Sequence, residues 1–383
     1  MDTEDTHSEK FRVLIAGGGV AALETALALK QLAGDRVQIT VIAPNEEFVY
    51  RPMTVREPFS FLGARHYPLE PILGDVRAEL VREKLGWVDH ELRVAHTEEG
   101  QQFEYDALVL ALGTRISARY EHALTIDDRT MDETLHGLIQ DVELGYVDSV
   151  AFVAPGRVAW PLPLYELALM TAGRAYDMNV EVPITIVTPE DRPLAIFGER
   201  ASEGVAELLA KAKIETITNA YAEIPEQGQI VIGPDRRHVQ AARIVALPEL
   251  YGPSIHGFPL SRDGFIRVDR FGRVPDCGPL FAAGDATDFA VKQGGVGAQQ
   301  ADVVAESIAA LAGAEVEPQP FHPVLRGMLM TYDKPYFMSA QITGGQGHSS
   351  EFSSEPLWQP VSKIAAKYLA PYLDSLDSRR AAA

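Results

Sequence analysis

Short apolar runs bounded by glycine turns alternate with helical patterns along most of this chain, the rhythm of parallel strands joined by crossover helices. Residues 11–16 form the first such run, Gly17-Gly18-Gly19 follows, residues from Val20 are apolar at helical spacing, and 37–43 is a second run rich in β-branched residues. These predict a βαβ unit. Residues 76–105 read as short alternating strands with a turn at Glu98-Glu99-Gly100, and 105–112 as a buried central strand ending in the turn Gly113-Thr114. Near residue 147 a blurred copy of the first unit begins: 182–189 repeats the pattern of 37–44, and Tyr165-Glu166-Leu167-Ala168 stands where Leu23-Glu24-Thr25-Ala26 stood. A helix over 199–213 and strands near 214–217, 229–232 and 242–248 follow. A strand then delivers Gly284-Asp285, and a helix runs from 296 to 311. Beyond Pro318 the pattern breaks into proline and aromatic punctuation, with a candidate helix over 361–376.

The first turn matches G-x-G-x-x-A, and each small residue has a physical task. Gly17 turns the chain sharply out of the strand, Gly19 lets backbone approach a pyrophosphate, and Ala22 permits close packing of helix on strand. Val20 and Ala21 open a helix whose first N–H groups lack intrahelical partners and favour a phosphate. An ordinary tight turn is the bland alternative, but the flanking strand, helix and second strand favour a dinucleotide. The second strand ends at Ala43-Pro44 rather than in the usual ribose-binding carboxylate, so Glu46 or Glu47 is the substitute candidate.

Charge and cysteine content narrow the function. Thirty-four Lys plus Arg against 54 Asp plus Glu give a net charge of −20, which disfavours nucleic acid. The first ten residues carry no signal pattern and no stretch approaches a membrane span, so the expected compartment is the cytoplasm. Cys277 is the single cysteine, which excludes an intramolecular disulfide, structural or redox-active. No metal site is expected.

The second glycine loop departs from the first. From Pro155 to Leu164 is nine steps where Gly17 to Ala22 is five, and Pro155, Pro161 and Pro163 remove N–H donors. Trp160 adds bulk where a pyrophosphate needs bare backbone, so NAD(P) binding there is doubtful. Arg157 is either a phosphate grip or a surface arginine, and Trp160 either a loop obstacle or a core plug between domains.

Three motifs taken together, Gly17-x-Gly19-x-x-Ala22, the 105–114 strand and turn, and Leu280 to Thr287 with its Gly284-Asp285, resemble the two-dinucleotide-binding flavoprotein superfamily of pyridine nucleotide-disulfide oxidoreductases. The 48–53 loop and the Lys292-Gln293-Gly294-Gly295 turn look most like the branch of type II NADH dehydrogenases, sulfide:quinone oxidoreductases and flavocytochrome c sulfide dehydrogenases. The match covers residues 11 to about 312. The resemblance implies an α/β fold of two Rossmann-like three-layer domains, the second inserted into the first. It also implies an FAD domain at 10–117 and 249–317, an NAD(P)-binding-like domain at 118–248 and a C-terminal segment at 318–383.

Carried over by position, Gly17 and Gly19 serve the FAD pyrophosphate, and Arg51 and Pro52 lie beside the cofactor crevice that Gly113 and Thr114 line. Gly284 and Asp285 reach the cofactor, Asp285 at the ribityl chain or a phosphate edge, with a plain N-cap as the alternative for Asp285. Gln293 and Gly294 start a helix aimed at the flavin N1/O2 edge, and Lys292 either adds charge there or is a solvated loop lysine. Glu166 is either a proton relay at the domain interface or a helix-end carboxylate facing water. Without paired cysteines, the sulfide-oxidising and disulfide-reducing mechanisms are excluded. The expectation is an FAD-dependent oxidoreductase passing electrons from an unidentified donor to a small acceptor such as a quinone. The alternatives are a type II NAD(P)H dehydrogenase and a non-catalytic FAD-binding sensor or scaffold. Trp358, Tyr336 and Phe337 are candidates for the flavin's open face. The terminal helix could pack on the core, form a homodimer or dock on a membrane, the last being the least favoured.

Overall fold

The computed structural model describes residues 10–343 and 346–382. Its first sheet is parallel and five-stranded, in the order Leu280–Ala282, Ala107–Leu110, Phe11–Ala16, Val37–Ile42 and Glu79–Val81. The helix after the first strand, α1 (Val20–Leu32), crosses over between Phe11–Ala16 and Val37–Ile42. It packs through Ala22 and Ala26 into a core shared with Ala301 and Ala305 of a later helix. These small residues let two helices lie close on one sheet face. The other face is closed by the antiparallel strands Leu85–Asp89, Val94–Thr97 and Gln102–Glu104, whose Leu85, Val88 and Ala95 join a core with Leu14 and Leu110.

The second sheet is also parallel, in the order Leu124–Thr125, Arg243–Ala246, Val150–Val153, Ile184–Val187 and Glu215–Ile217. The chain enters it after Ala107–Leu110 and rejoins the first sheet at Leu280–Ala282, so one Rossmann-like unit interrupts the other. Helix α2 (Leu162–Asp177) follows the central strand Val150–Val153. The expected strands are present at Glu215–Ile217, Gln229–Gly233 and Arg243–Ala246, and the expected helix at Glu199–Lys211. Helix Met131–Glu143 and the strands Tyr221–Glu226 and Arg237–Gln240 are additional to the sequence reading.

Helix α3 (Gly294–Leu311) leads into a tail richer in structure than its sequence suggests. Val324–Leu329, Tyr336–Thr343 and Gln346–Ser353 make an antiparallel sheet. Leu325, Phe337 and Met338 of this sheet share a core with Phe197 and Val205 of the second unit. The chain then crosses back, and Ile364, Leu369 and Leu373 enter the core of the first unit. One tail therefore clamps both units. The terminal helix, α4, is Leu369–Ala382 rather than 361–376. Pro371 explains the shift, because proline is tolerated in a first turn but not inside a helix. Among the described residues, no helix is long and apolar enough to cross a membrane.

Candidate functional site

A cleft of about 1020 Å³ runs between the units, at the upper end of the usual range for ligand sites. Its first wall is the turn into α1. Gly17 sits at φ +130°, and a Cβ there would stand 2.1 Å from the Ala111 carbonyl oxygen. No side chain can replace that hydrogen. Gly19 precedes α1 without a side-chain cap, and no acidic residue occupies the first turn. The N–H groups of Val20, Ala21 and Ala22 thus begin the helix with no local acceptor, an arrangement suited to an anion. Gly17, Gly19, Val20 and Ala21 line the cleft, while Ala22 is packed behind them.

Arg51, Pro52, Gly113, Thr114, Gly284, Asp285, Lys292, Gln293 and Gly294 also line it. Arg51 and Pro52 open a 3-10 helix, Arg51–Phe59. Glu46 lies off the cleft, with its carboxylate 2.6 Å from Arg82. Glu47 is on the wall instead and stands 2.9 Å from His66.

At the centre, Gly284 is held against α3. Its N–H donates to Gln300 Oε1 at 2.8 Å, and a Cβ on Gly297 would lie only 3.0 Å from the Gly284 Cα. That close contact fixes where Asp285 emerges. Burial pushes the Asp285 carboxyl up to about 6, while Lys292 and the Gln293 backbone N–H hold it down. Lys292 is 7% exposed, so the solvated-loop alternative fails. Its Nζ donates to the Thr287 carbonyl and lies 3.9 Å from the Phe265 ring centroid, and burial lowers it to about 8. The Gln293 side chain is an N-cap, accepting from the Val296 N–H at 2.9 Å. A Cβ on Gly294 would stand 3.2 Å from Ile364, so this glycine makes room for the tail.

The second unit meets the cleft differently. Its loop brings Val158, Ala159 and Trp160 to the wall, and α2 begins behind Pro161 with Pro163 in its first turn. Arg157 is engaged by Asp263 at 2.6 Å, and Trp160 packs edge-on to Phe197 at 5.7 Å between centroids. Glu190, just past the second strand of this unit, is turned inward. It accepts from the Tyr165 hydroxyl at 2.7 Å and from Thr188 at 3.0 Å, and burial pushes it up to about 7.

Glu166 does not face water. It is 1% exposed on the cleft wall, and its Oε1 accepts from the Met330 N–H at 2.8 Å and from Lys363 Nζ at 2.6 Å. Lys363 also donates to the Pro52 carbonyl at 2.9 Å. This pair joins the second unit, the tail and the first unit at one point. Burial raises the Glu166 carboxyl and lowers the Lys363 ammonium, in each case against the partner's charge. Lys363 escaped the sequence reading as a site residue, since it lies 197 positions from its partner. Lys84, Glu98 and Arg115 on the wall were also missed. Trp358, Tyr336 and Phe337 are not on the wall; Phe337 is core and Trp358 packs edge-on to it. Cys277 is buried beside Leu14 and Leu280, away from the cleft.

Two Rossmann-like units sharing one cleft, with a bare glycine turn at one end, define the class of FAD-dependent oxidoreductases built on paired dinucleotide folds. The chain belongs to the pyridine nucleotide-disulphide oxidoreductase family, whose model matches residues 11–303. It is 26% identical over 269 residues to a sulfide-quinone reductase of Aquifex aeolicus, covering 63% of this chain and 59% of that one. It is also 26% identical over 294 residues to an NADH dehydrogenase-like protein of Mycobacterium tuberculosis, covering 72% of each. Among solved structures, the sulfide:quinone oxidoreductase of Aquifex aeolicus matches with a TM-score of 0.78 at 20% identity, over 97% of this chain and 90% of that one. This likeness of fold reaches past residue 312, where the sequence resemblance stopped. FAD is the cofactor the family carries, and the glycine cradle, the uncapped helix start and the size of the cleft fit it.

Proposed function

We propose that the chain passes electrons through FAD to a small acceptor of the quinone type, from a donor other than NAD(P)H. The observation that carries this is the contrast between the two helix starts. One is bare backbone at the cleft, and the other is screened by Pro161, Pro163 and Trp160. Its one cationic candidate, Arg157, is already paired with Asp263. A second pyrophosphate would lack N–H donors.

In this reading Gly17, Gly19, Val20 and Ala21 take the FAD pyrophosphate, and Asp285 accepts from the ribityl hydroxyls. Lys292 and the start of α3 supply positive potential to the flavin N1/O2 edge, worth about 1 kcal/mol or more in a partly buried setting. Bound FAD supplies two-electron redox chemistry that needs no protein thiol. Glu166 Oε1 and Lys363 Nζ hold the proton that an acceptor takes up on reduction, in a place screened from water. The 26% identity to a sulfide-quinone reductase supports the acceptor class, while the single cysteine removes the paired thiols expected for sulfide.

The test is anaerobic photoreduction of the FAD-loaded protein, then rapid mixing with quinones and, separately, oxygen. Fast reoxidation by a quinone supports the proposal. Inertness to every acceptor contradicts it and favours the sensor or scaffold reading.

A further inference from the structure

We infer that Glu24 and Asp302 form a carboxyl pair that fastens the C-terminal segment, and so positions Lys363 and Ile364 at the cleft, under the control of one shared proton. Glu24 lies on α1 and is fully buried. Its Oε1 accepts from the Tyr368 N–H at 2.8 Å and its Oε2 from the Leu369 N–H at 2.6 Å. These are groups at the start of α4, where a helix has N–H donors without internal partners. Glu24 does from another helix what an N-cap does locally, and with a full charge.

Asp302, on α3, faces Glu24, and its Oδ1 is buried without a hydrogen-bond partner. Two carboxylates meeting with no donor between them require a proton. The two backbone N–H groups favour the anion on Glu24, so the proton belongs on Asp302. Burial, and then the Glu24 charge, raise Asp302 to about 8, with Lys367 opposing the shift and Glu306 adding to it. Burial raises Glu24, and the N–H groups of Tyr368, Leu369 and Lys367 hold it down. Lys367 itself leans on the Tyr368 side chain.

The segment fastened here has no helix or sheet of its own before α4. Its other ties include the Ile364 N–H to the Tyr50 hydroxyl at 2.8 Å, Lys363 to Pro52 and Glu166, and Ile364 against Gly294, while α4 itself is held by Tyr67 on Asp377 and Tyr372 on Asp75. Releasing the Glu24 end loosens the residues that close the cleft. Glu24 and Asp302 are therefore positioning residues, whatever the electron donor proves to be.

The linkage has a definite sign. The fastened state binds a proton that the released, solvated state gives up near the ordinary aspartate value. Fastening thus weakens as pH rises toward about 8, by up to about tenfold per unit, and levels off beyond. Hydrogen exchange on the FAD-loaded protein, corrected for intrinsic rates, reads this directly at Tyr368 and Leu369. Protection is expected to fall about tenfold per unit between roughly pH 6 and pH 8 and then flatten. Asp302→Asn, which is neutral and supplies a donor, is expected to keep FAD and show no such fall. FAD release from the parent on dilution is expected to quicken over the same window, and Asp302→Asn to remove the part of that rise that belongs to this pair rather than to Asp285 and Lys292. A flat parent profile, an equal fall in Asp302→Asn, or the same pH dependence of FAD release in both proteins overturns the inference.

Discussion

Replacing Lys363 with methionine removes one partner of a buried ion pair and leaves Glu166 with a single donor, the Met330 N–H. Breaking such a pair from one side costs about 3–5 kcal/mol, because the remaining charge is stranded out of water. Glu166 escapes part of that cost by taking a proton, and each unit of pKa shift corresponds to about 1.4 kcal/mol. Its folded-state value already stands above the ordinary glutamate value and rises further without Lys363. A raised carboxyl makes its neutral contribution below the unfolded value and loses stability as pH climbs. Lys363→Met is therefore expected to lower the urea midpoint modestly near pH 5 and by the equivalent of about 3 kcal/mol near pH 8. The double variant Glu166→Leu/Lys363→Met, which buries no charge, is expected to regain stability to within about 1 kcal/mol of the parent while reoxidation by quinone stays slow. Urea titrations of all three proteins at both pH values decide the matter. A loss under about 1 kcal/mol in Lys363→Met at both pH values refutes the reasoning.

Gly17→Ala is expected to yield protein without bound flavin absorbance, since the added Cβ meets the Ala111 carbonyl at 2.1 Å; normal FAD loading contradicts the cradle. Lys292→Met removes a buried cation from the cleft wall and is expected to make the flavin harder to reduce by about 30 mV, equivalent to about 1.4 kcal/mol for two electrons. Spectroelectrochemical titration measures it, and an unchanged potential would show that Lys292 serves only packing. Gly294→Val drives a side chain into Ile364, so the expected effect is a loosened tail and a lower thermal midpoint, by about 1–3 kcal/mol.

The first βαβ unit, the 105–114 strand and the Gly284-Asp285 turn were legible because their signals are local. A strand of continuous apolar residues and a glycine forced to positive φ leave marks within a few positions. The tail was not legible. Its alternating strands bury one face against Phe197 and Val205 of the second unit, and nothing nearby in sequence announces that partner. The roles of Glu24 and Lys363 were hidden for the same reason, and for Glu166 the sequence left a proton relay and a water-facing carboxylate both open. In sequence Glu24 and Glu166 are helix carboxylates and Lys363 one lysine among many, and only partners across the fold bury them. Glu46 illustrates the converse: its position after the second strand suggested a ribose contact, but Arg82 draws it to the surface. Gly294 was read as the start of a helix aimed at the flavin N1/O2 edge, and the structure adds a packing task that sequence did not show: its missing side chain makes room for the tail.

The central claim, one open dinucleotide cradle for FAD and a second unit closed to NAD(P)H, meets its most direct test in anaerobic stopped-flow mixing of the FAD-loaded protein with NADH and NADPH. The flavin absorbance is predicted to persist for seconds at sub-millimolar nucleotide, because the Pro155–Leu164 loop offers a pyrophosphate no row of N–H donors. Bleaching within milliseconds would contradict the account and make the chain an NAD(P)H dehydrogenase.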